Sequence, residues 1–227
     1  KRVEIFHTPY HLREKVATCR YSISGFPSLY MGTSLALCVE ESIQKSARLF
    51  IGSRFQLNRS TRDNGNINIQ VMDLSIKPQD FLKGVDAEGN ALYNQEDGSD
   101  LARRYLYWYP LIAACSFIRK SKSDPFSPEY IIPQLLMQWI REQYKKPIHH
   151  KELIGIRYFS CASRKSAESG FNYIFPVNGK SEESLGNHYC SVLANAFSLT
   201  KPIIIEKDDL GFWQSNLDRS ELNRVNG

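Results

Sequence analysis

The sequence predicts an α+β fold. Short runs rich in β-branched and aromatic residues are mixed with a few helical ones, and they do not alternate regularly as strand–helix–strand units. No GxGxxG or Walker-type glycine loop occurs, which excludes the common doubly wound nucleotide-binding designs. The chain has 227 residues, enough for one substantial core, so a single domain spanning residues 1–227 is expected. It opens on Lys1 and not on Met, which is compatible with a fragment lacking an N-terminal domain.

Taken in order, residues 3–9 and 18–24 read as short strands, followed by a turn at Gly25-Phe26-Pro27 and a strand over 28–32. Thr33 and Ser34 are good N-cap residues for a helix over 35–47, because a side-chain oxygen there can accept from the first free backbone N–H groups. Residues 48–57 and 67–76 alternate as strands, with polar loops at 58–66 and 84–100. The stretch 101–120 has helical period but contains Pro110, which predicts a kink or break. After a loop at 121–128, residues 129–146 form the best amphipathic helix, with Pro133 near its start, where a proline is tolerated. Strands are expected at 152–161, 171–177 and 201–207, while 190–199 reads equally as helix or strand.

Hydrophobic residues make up 42% and charged residues 23%, the balance of an ordinary globular domain. Twelve Tyr, twelve Phe and three Trp leave rings available to line a pocket for a flat ligand. The net charge of +5 is scattered without a basic block, so it suits an anionic small molecule and calls for neither nucleic acid nor a membrane surface. The five Cys are odd in number and form no CxxC pair, which argues against a disulfide framework or zinc ribbon and for a reducing, cytoplasmic setting. No long apolar span and no signal peptide is present. No metal site is expected: His149 and His150 are adjacent, a spacing from which two imidazoles do not readily face one ion.

One constellation stands out. In CRYSISGFPSLYMGTSLALCVEES (19–42), Arg20 and Tyr21 precede a Gly-Phe-Pro turn, Tyr30 follows in a strand, and Glu40 and Glu41 sit on the next helix. Further on, the helical IIPQLLMQWIREQ (131–143) is followed by GIRYFSC, carrying Ser160, and then by FNYIFP, carrying Asn172. The order and context of these blocks resemble the RES family of NAD⁺-degrading toxin domains, named for its Arg, Glu and Ser. Cys19 and Phe159 stand where Gly and Pro are common in that family.

The resemblance implies an ADP-ribosyltransferase-like fold, with small mixed sheets and flanking helices around an NAD⁺ cleft. It implies that Arg20, Tyr30, Glu41 and Ser160 are catalytic and that Tyr21 and Asn172 bind the nucleotide, with Glu40 the alternative to Glu41. NAD⁺ would be consumed as substrate, with cleavage of the nicotinamide–ribose bond. The partner implied is an antitoxin or regulatory domain outside this chain, and a homo-oligomer is compatible with it.

Those residue types suit that chemistry. A guanidinium fork holds two phosphate oxygens at once. A phenol ring can stack on nicotinamide, and a carboxylate stabilises the positive charge that develops on the ribose ring. No base is evident that would make Ser160 a nucleophile. Each residue also has a plainer reading. Arg20 suits a surface ion pair, Tyr30 a core position and Ser160 a small core residue, while Glu41 lies four residues before Lys45 in ordinary helix-pair spacing. Arg103-Arg104 reads as a solvated pair, and Cys161 has no activating His beside it.

Overall fold

Strand β6 (Phe171–Pro176) organises the larger sheet of the computed structural model. It lies between β1 (Ser28–Gly32) and β5 (Lys151–Phe159), antiparallel to both, and β4 (Asn68–Leu74) adds in parallel on the far side of β5. The structure describes residues 5–41, 49–58, 68–85, 91, 98–121, 124, 126–144, 151–161, 170–178, 188–207, 213–214 and 223–224. Parallel pairing of β4 and β5 demands a crossover connection. It is supplied by α2 (Pro78–Leu82), α3 (Gly98–Cys115) and α4 (Ile131–Tyr144). The remaining helices are α1 (Leu35–Glu41) and α5 (Ser191–Ala196).

Two three-stranded sheets complete the α+β architecture. One orders β10 (Asn223–Arg224), β7 (Phe197–Leu199) and β3 (Phe55–Leu57). The other orders β2 (Leu49–Gly52), β8 (Ile203–Lys207) and β9 (Trp213–Gln214). The larger sheet is buried on both faces. Tyr105, Ile112 and Cys115 of α3, with Met137 and Ile140 of α4, pack on Ile156, Tyr158 and Ile174. On the other face, Leu193 and Ala194 of α5 and Phe197 of β7 meet Leu29, Ile154 and Phe175. Ile154 reaches that face because the β4–β5 register slips between Gln70 and Val71, which skips one residue of β5.

Several expectations are corrected. Residues 18–24 form no strand: Cys19 and Ser22 exchange backbone hydrogen bonds and Gly25 N–H donates to Val16, so the segment closes on itself and pairs with no neighbour. No strand occurs in the described part of 3–9 either. There His7 is tethered instead, its Nε2 accepting from Cys190 N–H at 3.0 Å. Pro110 does not break α3, which runs through it from Gly98 to Cys115. The proline faces outward, and buried Tyr105 and Ile112 anchor the helix to the sheet on either side, which outweighs the roughly 3 kcal/mol cost of an internal proline. The ambiguous stretch 190–199 is both things in turn, α5 and then β7.

Other readings hold. Gly25 takes the positive φ of 81° that its turn requires. Ser34 Oγ accepts from Leu37 N–H at 3.2 Å, as an N-cap does. All five cysteines are free. The second half of the helix expected at 35–47, most of the loop at 58–66, and His149-His150 lie outside the described residues.

Gly155, just past the register slip, lies against β6 so closely that a Cβ would sit 2.5 Å from the Ile174 carbonyl oxygen. Gly155→Ala is therefore expected to destabilise the protein by about 2 kcal/mol. A thermal melt checks this, with a drop in Tm of about 4–8 °C expected.

Candidate active site

The site is assembled at the end of the larger sheet where β1 and β5 stop. Opposed residues of antiparallel strands share a face. Tyr30 is opposite Ile174, and Asn172 is flanked by Gly32 on one side and Tyr158 on the other. Ser160 follows Tyr158 by two residues and so continues the same face one step beyond β5.

Helix α1 then crosses this edge. Gly32 faces this helix closely: a Cβ there would sit 2.7 Å from Cys38 Sγ and would push that thiol aside. Thr33 locks the same corner: its N–H donates to the Phe171 carbonyl, and its hydroxyl accepts from Phe171 N–H, both at 3.0 Å.

The outcome is a triad around one carboxylate. Glu41 Oε1 accepts from Asn172 Nδ2 at 2.9 Å and also from the Ser160 hydroxyl. Both donors are buried, Ser160 to 1% exposure, whereas Glu41 itself is exposed. Oε2 accepts no hydrogen bond among the described residues, which leaves it available to a ligand. Of the two neighbouring acids, it is Glu41 that meets Ser160 and Asn172, while Glu40 has other partners. Ser160 gives its proton to a carboxylate, so its oxygen is oriented as a donor to Glu41.

Arg20 makes its contacts at the end of α3. Its Nη1 donates to the carbonyls of Cys115 at 3.1 Å and Phe117 at 2.8 Å, and its guanidinium lies 5.3 Å from the centre of the Tyr130 ring. It therefore closes the C-terminus of α3, where a cation is favourable, and joins it to the start of α4. Its Nε and Nη2 make no hydrogen bond among the described residues.

Burial pushes the Tyr158 phenol well up and the Cys161 thiol up, and on both groups Glu41 adds to the rise while Arg20 opposes it.

Tyr30 splits its two ends. The ring is 41% exposed, while its hydroxyl points inward to Ser22 Oγ at 2.9 Å. Burial of that end pushes the phenol up, with Cys19 adding to the rise. Tyr21 is placed differently from the rest: it is fully buried, its ring 4.7 Å from that of Tyr158. It supports the floor of the site from below, and a ligand could touch it only after that packing opened.

Tyr158 and Ser22 were not among the expected site residues. The signal for Tyr158 was period-two alternation back from Ser160. For Ser22 there was none, since its contact with Tyr30 depends on the turn at 19–25. Among the described residues, no group of three His, Cys, Asp or Glu could hold a metal ion, and no helix is long and apolar enough to cross a membrane.

Comparison with known proteins adds one relative. The chain is 28% identical over 222 residues to a Bacillus subtilis (strain 168) protein named "Putative toxin YopC". The match takes in 96% of this chain but 45% of that protein, so the chain spans less than half the length of the curated relative it matches. No family model matches the sequence, and no solved structure matches it.

Burial keeps Tyr21, Tyr30 and Tyr158 protonated beyond the ordinary phenol value of 10.0. Because their folded-state values are raised, the folded protein holds protons there that the unfolded chain releases. Stability from these groups is whole below pH 10 and falls as pH rises above it. Absorbance titration at the phenolate band is expected to show these tyrosines ionising together with unfolding.

Proposed function

We propose that the chain is an NAD⁺-consuming toxin domain that cleaves the nicotinamide–ribose bond with Glu41 as its central carboxylate. The observation that carries this reading is the fixing of Glu41 by Ser160 and Asn172, with Oε2 left free. The RES-like order of these residues and the toxin name of the relative point the same way. On this reading the larger sheet and its neighbours form the NAD⁺ cleft of an ADP-ribosyltransferase-like fold acting in the cytoplasm. An antitoxin or regulatory domain outside this chain restrains it.

On this reading each residue has a part. Arg20 uses its free Nε and Nη2 on the diphosphate, and the open ring face of Tyr30 stacks on the nicotinamide. The C–N bond to nicotinamide breaks with its electron pair leaving on the ring nitrogen, which neutralises the pyridinium. Positive charge then develops on the ribose, and the Glu41 carboxylate stabilises it. Water attacks the ribose carbon and loses its proton to Glu41 or solvent, giving ADP-ribose and nicotinamide; phosphate in place of water gives the phosphorylase variant. Ser160 and Asn172 hold the carboxylate and take no part in bond making. The alternative acceptor, a protein side chain, would make the enzyme an ADP-ribosyltransferase.

Purified protein incubated with labelled NAD⁺ tests the reading. Free nicotinamide without labelled protein is expected, with Glu41→Gln lowering kcat by about 10²–10³ and Arg20→Ala acting mainly on KM. Label on a protein would favour transfer. Unchanged NAD⁺, both in vitro and in cells expressing the chain, would leave only a non-catalytic nucleotide-binding or interaction module.

A further inference from the structure

Helices α3 and α4 lie side by side on one face of the larger sheet and pack against each other. They run antiparallel: Arg20 touches the last carbonyl of α3 and the Tyr130 ring just before α4, so the end of one helix meets the start of the other. Their sheet-facing sides are core. Their outward sides are also apolar, with Leu106 and Tyr107 of α3 exposed by 65% and 77%, and Leu135 and Trp139 of α4 by 59% and 48%. A helix that is hydrophobic all round is ordinarily buried all round.

Two properties identify the occupant. The exposed apolar side chains on these outward sides, Leu106, Tyr107, Ile131, Ile132, Leu135 and Trp139, together offer ~700 Å², taking about 200 Å² for a large side chain, close to the ~800 Å² that a stable interface needs from each partner. The middle of the face carries no charge, since neither 105–118 nor 130–140 contains an acidic or basic residue. Charges stand at both ends, with Arg103, Arg104, Arg141 and Glu142 at one and Arg119, Lys120 and Glu129 at the other.

A surface with an uncharged middle meets a copy of itself there without like-charge repulsion, and an antiparallel stack brings Arg103 and Arg104 of one copy to the end of the other that carries Glu129 beside Arg119 and Lys120. We infer that the outer face of the α3–α4 layer is the contact surface of a symmetric homodimer, in which two such layers stack as four helices. This inference is independent of the NAD⁺ reading.

Sedimentation equilibrium on the wild-type chain tests it. Twice the 26.1 kDa chain mass is expected, with a dissociation constant in the micromolar range or tighter. Tyr107→Glu and Leu135→Glu, both at exposed positions, are each expected to weaken association at least 100-fold while preserving the far-UV circular dichroism. Ile204→Glu, an exposed apolar position on β8, is expected to leave the dimer intact. Should a charged variant misfold, the wild type alone still decides: quenching of Trp108 and Trp139 by acrylamide must rise on dilution. A monomeric wild type, dimers that survive both charge insertions, or dissociation by Ile204→Glu alone would each overturn the inference.

Discussion

One oxygen of Glu41 ties three separate parts of the chain together. Ser160 arrives from the end of β5, Asn172 from the start of β6 and Glu41 from the last described turn of α1, and they meet only at Oε1. The rest of the local structure serves this meeting. Gly32 leaves room for the Cys38 thiol of α1, Thr33 closes the β1–β6 corner, and Ser34 starts the helix at the residue that brings Glu41 over the sheet edge. Two buried neutral donors on an exposed carboxylate make an economical arrangement. The donors remove the rotamer freedom of Glu41, and the exposed oxygen keeps its capacity to bind.

The elements that were legible in the sequence are those whose pattern is local. The strand 28–32, the amphipathic helix near 129–146 and the strands that became β5 and β6 each carry their period within a few residues. The RES-like order put Ser160, Asn172 and Glu41 forward as residues of interest, though not their convergence, since their sequence separations of 119 and 131 residues leave nothing local to read. The choice between Glu40 and Glu41 was likewise closed to the sequence. It depends on which of the two side chains the turn of α1 brings to Ser160 and Asn172.

Misreadings arose where tertiary contacts override local preference. Residues 18–24 have strand composition, yet Tyr21 and Ser22 are buried by turning inward under Tyr158 and Tyr30, and the backbone satisfies itself in a turn. Pro110 signals a break, yet a long helix pinned by core side chains before and after it continues regardless. In both cases hydrophobic burial is larger than the propensity it opposes.

The placement of Arg20 links two processes that otherwise have nothing in common. The guanidinium that would meet an anion is also the clamp on the last carbonyl of α3 and on that of Phe117 just beyond it. Thermodynamic reciprocity then applies: an anion on Nε or Nη2 that shifts Nη1 on Cys115 and Phe117 loosens the helix end by as much free energy as a tightened helix end takes from anion affinity. One guanidinium suffices for that exchange, with no hinge or lid between the two ends.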